Sequence, residues 1–320
     1  MAVARNRGEG IYQLTLITSP PPHIHAAISV DRIVHLTGAS LLPGVIWLIY
    51  LFGWQALRVM VLSIGGAVLT EMAVMKLRGK EVTVQDGTAV LTGLILAFTL
   101  APTVPSWIVV LGAVIAITIG KQIFGGTGSN PFNPAVVGRV FLGVAFPDQL
   151  NNWIPPHSVG TVIQSPLELW AAGEALPGYR ELLAGSTGSF MGDFAVVVLL
   201  LGGLILVLRG YVDWRVPLGV LGTAVLFMAA VGQDPAWHLL TGGVILGAFY
   251  LAGDPVTTPV TPWGRLVFGI GVGLCLGIIR YYGQNPDAIF FAVLFMNGLV
   301  PLLNRLLRIR RKGAVACGKR

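Results

Sequence analysis

The stretch VIAITIGKQIFGGTGSNPFNPAVVGRVFLGVAF, residues 114–146, places two apolar runs on either side of a break made of glycine, asparagine and proline. An α-helix does not run through two Asn-Pro pairs, because the residue before proline is pushed out of the helical region and proline lacks the N–H. Crossing about 30 Å of hydrocarbon takes about 20 apolar residues, and each flank is shorter than that or interrupted. Broken backbone is tolerated at membrane depth only where protein or a polar cavity surrounds the freed groups. The stretch therefore predicts a bundle of helices, some of them broken, around a polar site.

The rest of the chain agrees with a membrane setting. Of 320 residues only 35 are charged, 21 basic and 14 acidic, or 11% against about 25% for soluble proteins. Apolar residues make up 54%, with 42 glycines besides, and mean hydropathy is +0.77. A water-facing surface cannot be built from this, which excludes a soluble enzyme, a disordered chain, a coiled coil and a disulfide scaffold. The formal charge of +7 does not point to nucleic acid. Seven basic residues crowd the last sixteen positions (Arg305, Arg308, Arg310, Arg311, Lys312, Lys319 and Arg320), the pattern of a tail held on the cytoplasmic side next to anionic lipid. Cys275 and Cys317 form no CxxC or Cys/His cluster, so no metal or iron–sulfur ligation is expected.

Ten spans are predicted, near 33–52, 56–75, 87–101, 104–123, 134–147, 193–208, 215–231, 237–252, 265–282 and 286–304. An even number puts both termini on one side. That side collects Lys76, Arg78, Lys80, Lys121, Arg209, Arg215, Arg265 and the tail; the other collects Arg58, Arg180 and Arg280, with Arg139 early in the fifth span. The bias makes the termini cytoplasmic and the long connection 148–192 outward. The chain divides into an N-terminal cytoplasmic segment 1–31, without a cleavable signal, a membrane domain 32–304 and a basic tail 305–320. Within the membrane domain the first half is 32–147 and the second 193–304.

The halves echo each other. VLTGLIL (Val90–Leu96) returns as LLTGGVI (Leu239–Ile245) 149 residues later, and Asn130-Pro131 returns as Asn285-Pro286 after 155. Five spans per half make the two units enter the membrane from opposite sides, an inverted repeat.

Candidate site residues cluster at the breaks. In the loop from Gly120 to Ala135, Gly125, Gly126 and Gly128 permit positive φ and close approach to a ligand, Asn130 and Asn133 offer amides, and Lys121 offers a charge. No GK[ST] follows the glycines, so this is not a phosphate-binding Walker loop. Further on, Gly253–Arg265 carries Asp254, Thr257 and Thr258 among three prolines; Asp254 either binds a cation, pairs with Arg265 or caps a helix. Glu71, inside the second span, is a costly carboxylate that marks a pathway or cofactor site unless it reaches Lys76 or solvent. No catalytic residue or metal ligand stands out.

SPPPHIHAAISVDRI, LTGLILAFTLAP, KQIFGGTGSNPFNPAVVG, AGDPVTTPVTPWGRLVFG and GQNPDAIFFAVLFMNGLVPLLNR together cover nearly the whole chain. In these motifs the sequence resembles the D-type subunit of the Rnf ion-motive electron-transport complex and its relative, the B-type subunit of the sodium-pumping NADH:quinone reductase. The resemblance implies an all-α polytopic protein with two inverted five-helix halves, as in urea-channel-like folds, in a bacterial inner membrane. It also implies other members of the complex as partners and flavin, FMN or riboflavin, as the electron carrier of a sodium or proton pump. The family joins FMN by a phosphoester to a threonine in an outward-loop motif close to Asp-Gly-Ile/Val-Ser-Gly-Ala-Thr followed by Pro-Leu. Here the stretch is VGTVIQSPL: Gly160, Pro166 and Leu167 match, Ser165 occupies the acceptor position, and Val159, Ile163 and Gln164 depart from the motif. Thr161 and Thr187 are the nearest other hydroxyls. The departures argue against covalent flavin and keep a second function class open, a flavin-free channel or transporter built on the same inverted-repeat pore.

Overall fold

The computed structural model describes residues 30–80, 86–156, 163–187 and 190–307. The N-terminal segment through residue 29, the first four residues of the VGTVIQSPL stretch (159–162, with Thr161), and the basic tail from 308 lie outside the described residues. Among the described residues the chain is helical, with one isolated β-bridge, Trp153 to Ile163, and no strand.

The first half comprises α1 (Val30–Phe52), α2 (Trp54–Leu77), α3 (Thr88–Phe98), α4 (Ser106–Ile117) with a π-helical extension Thr118–Gln122, and α5 (Pro134–Ala145). Four short helices follow in the long connection: α6 (Pro147–Leu150), α7 (Pro166–Ala172), α8 (Tyr179–Ala184) and α9 (Met191–Phe194). The second half comprises α10 (Val196–Leu208), α11 (Arg215–Ala230), α12 (Pro235–Leu240), α13 (Val244–Leu246) with a π segment Gly247–Leu251, α14 (Pro262–Gly283) and α15 (Ala288–Leu306). α1, α2, α14 and α15 are long and apolar enough to cross a membrane, and α3, α4, α5, α10 and α11 are shorter apolar helices. The protein is a polytopic helical membrane protein, and these nine apolar helices fall on predicted spans, the eighth span being taken by α12, α13 and the π segment.

The halves are built alike. α4 packs on α2 and α5, as α14 packs on α11 and α15, and the halves meet through α1 on α10 and α5 on α15. They run in opposite senses: the start of α1 (Ile33, Val34) and the end of α10 (Leu206) line one cavity, as do the start of α3 (Thr88) and the end of the Gly247–Leu251 segment (Phe249, Tyr250). Missing side chains set the closest crossings. A Cβ on Gly219 of α11 would lie 2.9 Å from the Gly269 backbone of α14, and one on Gly138 of α5 would lie 2.7 Å from the Gly112 carbonyl of α4. In lipid, which offers little hydrophobic drive between helices, such backbone approach is a main source of packing energy.

The echoed Thr-Gly pairs have different local structures. Gly93 stays inside α3, where a Cβ would fall 2.7 Å from both the Ile64 Cα and the Ser63 carbonyl of α2. At the echo, Gly242 (φ 65°) and Gly243 (φ 68°) break the eighth span between α12 and α13. Two buried charges close that break. Arg280 Nη1 donates to the His238 carbonyl at 2.6 Å, and its Nη2 donates to those of Thr241 and Gly242 at 3.2 and 3.3 Å. The Asp193 carboxylate accepts from the Gly242 and Gly243 N–H groups at 3.0 and 2.6 Å. Orphan carbonyls at one helix end and orphan N–H groups at the next thus find opposite charges, as the helix dipoles favour.

Candidate functional site: a cavity between the halves

The π-helical turn at the end of α4 is the first element of the site. Its widened ring, with Ile123 N–H donating to the Thr118 carbonyl at 2.9 Å, rotates Lys121 and Gln122 inward. Gly120 makes room for the start of α5: a Cβ there would lie 2.7 Å from Pro134 Cα. Asn133 then caps α5, its Oδ1 accepting from the Ala135 and Val136 N–H groups at 3.0 and 3.4 Å. Its Nδ2 reaches into the second half, donating to the Leu251 carbonyl and to Asp254 Oδ2, both at 3.4 Å.

These elements enclose a cavity of about 330 Å³ at the seam of the halves. Lys121, Gly128, Asn130, Asn133 and Asp254 line it together with Thr88, Thr92 and Tyr211, and Ile95, Leu206 and Phe249 give apolar walls. Two loops about 120 residues apart in sequence, one carrying Asn133 and the other Asp254, thus meet at one site. Gly125 (φ 117°) and Gly126 (φ 107°) shape the loop without lining the cavity. Thr257 and Thr258 are buried just behind it, Thr257 Oγ1 donating to Asp254 Oδ2 at 3.4 Å and Thr258 Oγ1 to the Pro255 carbonyl at 3.5 Å.

Two alternatives left open by the sequence are decided here. Asp254 does not pair with Arg265, which binds Asp213 Oδ2 at 2.8 Å and the Pro259 carbonyl at 3.0 Å. It accepts instead from Asn133, Thr257 and the Val256 N–H, and burial pushes its carboxyl up to about 6, opposed by the last two of these hydrogen bonds. Glu71 does not reach Lys76 or solvent. It is fully buried, its Oε1 accepting from Lys121 Nζ at 2.7 Å and from Gln122 Nε2 at 3.0 Å, while Oε2 has no partner among the described residues.

Ser165 lies elsewhere, at the opposite end of the bundle. Its Oγ accepts from the Glu168 N–H at 3.2 Å and its own N–H donates to Glu168 Oε2 at 2.7 Å, a capping box at the start of α7. The residue is fully buried. A phosphoester on this oxygen would have to displace the cap and open the surrounding packing, so the described residues do not fit flavin attached at Ser165.

Sequence reasoning did not single out a second charged seam. Arg139 of α5 pairs with Asp287 at the start of α15, donates from Nε to the Thr99 carbonyl at 2.9 Å, and stacks over Phe190 and Phe290 at 5.0 and 5.1 Å from their ring centres. Its signal, and that of Arg280, is an arginine inside an apolar run, which the positive-inside count treated as a mark of sidedness.

Residues 17–313 match the NQR2, RnfD, RnfE family. The chain belongs to that family. It is 39% identical to the D-type subunit of the Na(+)-translocating ferredoxin:NAD(+) oxidoreductase complex of Acetobacterium woodii, over 96% of this chain and 98% of that one. It is likewise 39% identical to the D-type subunit of the ion-translocating oxidoreductase complex of Stutzerimonas stutzeri (91% and 94%). With the D-type subunit of the proton-translocating ferredoxin:NAD(+) oxidoreductase complex of Clostridium ljungdahlii it shares 34% identity (90% and 93%). The NQR2, RnfD, RnfE assignment spans both halves, so the cavity between them lies wholly within the family's shared region.

Proposed function

We propose that this chain is the D-type membrane subunit of an Rnf-type redox-driven sodium or proton pump, and that it holds a flavin, FMN or riboflavin, noncovalently in the cavity between its halves. The observation that carries the reading is the cavity itself. At about 330 Å³ it falls within the ~300–1,000 Å³ of small-molecule sites, and it combines apolar walls with a few convergent polar groups. A bound isoalloxazine supplies the electron chemistry. The chain supplies the rest: the Asn130 and Asn133 amides to meet ring nitrogens and carbonyls, Ile95, Leu206 and Phe249 to exclude water, and Lys121 to offset negative charge in the cavity. Full-length relatives named as members of such complexes support a place in a multisubunit assembly. The basic residues around the glycine-rich loop support a cytoplasmic position for that face and both termini and an outward position for 148–192; the relatives, subunits of bacterial ion-translocating complexes, support a bacterial inner membrane as the site.

Visible spectroscopy of the purified chain and of its intact complex, before and after denaturation, tests the reading. Expected are a flavin spectrum in the native state, release of the flavin on denaturation, no fluorescent band after SDS electrophoresis, and loss of the flavin in Asn133→Leu. A fluorescent band that disappears in Ser165→Ala would move the cofactor to the outward loop. Absence of flavin from both chain and complex would sink the electron-relay role and leave the channel or transporter reading.

A further inference from the structure

Beneath the cavity a chain of hydrogen bonds runs from the surface to the buried carboxylate. Thr127, exposed in the glycine-rich loop, donates to Asp86 Oδ2 at 3.1 Å. The half-buried Thr88 hydroxyl donates to Asp86 Oδ1 at 2.7 Å and accepts from Lys121 Nζ at 2.6 Å. Lys121 in turn donates to Glu71 Oε1 at 2.7 Å, where both side chains are nearly inaccessible to solvent. We propose that Asp86, Thr88, Lys121 and Glu71 form a proton-transfer relay between the glycine-rich face of the bundle and Glu71.

The arrangement does more than neutralise a buried charge. One bond to Lys121 and one to Gln122 serve the same oxygen, while Oε2, also buried, has no donor among the described residues. An unpaired carboxylate oxygen out of water is costly, and it leaves one oxygen of the carboxylate open to a proton delivered through Lys121. The transfer balances without oxidant or reductant. Hydronium at the surface protonates Asp86 and leaves as water; Lys121 passes a proton to Glu71, becoming a neutral amine; the Thr88 hydroxyl, turned from Asp86 toward Lys121, passes its proton to Lys121 and takes one from Asp86, which returns to the carboxylate. The net result is one proton moved inward, carried on Glu71, with Lys121 again an ammonium. Among the described residues, the other charged or titratable side chains around this end of α2 are Lys76, Arg78 and Lys80 after the buried turn, Asp31, Arg32 and His35 at the start of α1, and Asp254, Tyr211 and Tyr250 across the cavity; α3 and α4 carry none. Arg78 donates to the Gln122 carbonyl, which holds the π turn and leaves Glu71 to Lys121.

A purely structural role makes a different prediction. Asp86 also accepts the Thr88 N–H at 2.9 Å in a turn just ahead of α3, a bond that asparagine makes as well as aspartate does, so Asp86→Asn keeps the fold while removing the proton carrier. Thr88→Ser keeps the hydroxyl and Thr88→Val removes it. The full-length chain in lipid nanodiscs, without redox cycling, is subjected to an acid pH jump and followed by time-resolved infrared spectroscopy. The carboxyl band of Glu71 is identified by its loss in Glu71→Gln. Thr88→Val and Asp86→Asn are expected to slow its appearance by about tenfold or more, equivalent to about 1.4 kcal/mol on the barrier, and Thr88→Ser to leave it near the wild-type rate. Unchanged rates in both Thr88→Val and Asp86→Asn, or no Glu71 band before the protein unfolds, would overturn the relay. The measurement needs no flavin, so its outcome is separate from that of the cofactor experiment.

Discussion

Arg280→Met tests how the broken eighth span is held. In the wild type the guanidinium serves three carbonyls at the end of α12, from one short bond to His238 at 2.6 Å and a shared nitrogen at 3.2 and 3.3 Å from Thr241 and Gly242. Hydrogen bonds to a charged group contribute about 1.5–3 kcal/mol each, and the two longer bonds from one nitrogen count as about one, giving roughly 3–6 kcal/mol. Methionine fills much of the same volume but leaves the acceptors without donors. It also takes away the positive charge that acts electrostatically on Asp193 across the break, and removing one of two interacting buried charges costs about 3–5 kcal/mol. The two estimates overlap because they describe one event, so a loss of about 3–5 kcal/mol is expected. Arg280→Lys retains the charge but reaches a single carbonyl and should lose roughly half as much. Unfolding of the purified chain with SDS in mixed micelles, followed by tryptophan fluorescence, gives the free energies. A loss below about 1 kcal/mol for Arg280→Met would refute the account of Arg280 as the closure of this break.

Lys121→Met should destabilise the chain by about 3–5 kcal/mol by stranding the Glu71 carboxylate, while Lys121→Met with Glu71→Leu should recover most of that, measured by the same unfolding assay. Gly93→Val places a branched side chain where a Cβ already meets α2 backbone at 2.7 Å; an overpacking cost of about 3 kcal/mol or more should appear as loss of monodisperse protein on size-exclusion chromatography, whereas Gly126→Val, with open space around it, should show only backbone strain of about 1–3 kcal/mol and stay folded. Asp213, in the connection between α10 and α11, has its carboxyl held below the usual range: burial would raise it, but the Arg215 N–H and Arg265 outweigh that. A depressed folded value means its stabilisation is present above the unfolded pKa of about 4 and lost as pH falls through the folded value. Thermal midpoints of wild type and Asp213→Asn should therefore differ at pH 7 and at pH 5 and converge only in stronger acid.

Much of this protein was determined along the sequence. A low charge count and ten apolar runs leave a chain no solvent but lipid and its own helices, and hydropathy depends on composition over about 20 residues, not on neighbours far away. The inverted halves were legible because a Thr-Gly run and an Asn-Pro pair recur at offsets of 149 and 155, and five spans in each half make the second enter from the opposite side. The loop from Gly120 to Ala135 and the stretch around Asp254 stood out because glycine, proline and amide side chains are costly in an apolar helix unless something uses them. That Lys121, Asn133 and Asp254 share one cavity was decided only by tertiary structure: it depends on a π turn after Ile117 and on Gly120 admitting Pro134. The partners of the buried charges were decided there too. Glu71 lies 50 residues from Lys121, Arg139 148 from Asp287, and Arg280 about 40 from the carbonyls it serves. Composition can show that a charge in an apolar run needs a partner, because an unpaired one is too costly to bury. Which partner it has follows from helix crossings so close that a Cβ on the glycine would fall under 3 Å from the neighbouring helix, and local sequence does not carry that geometry.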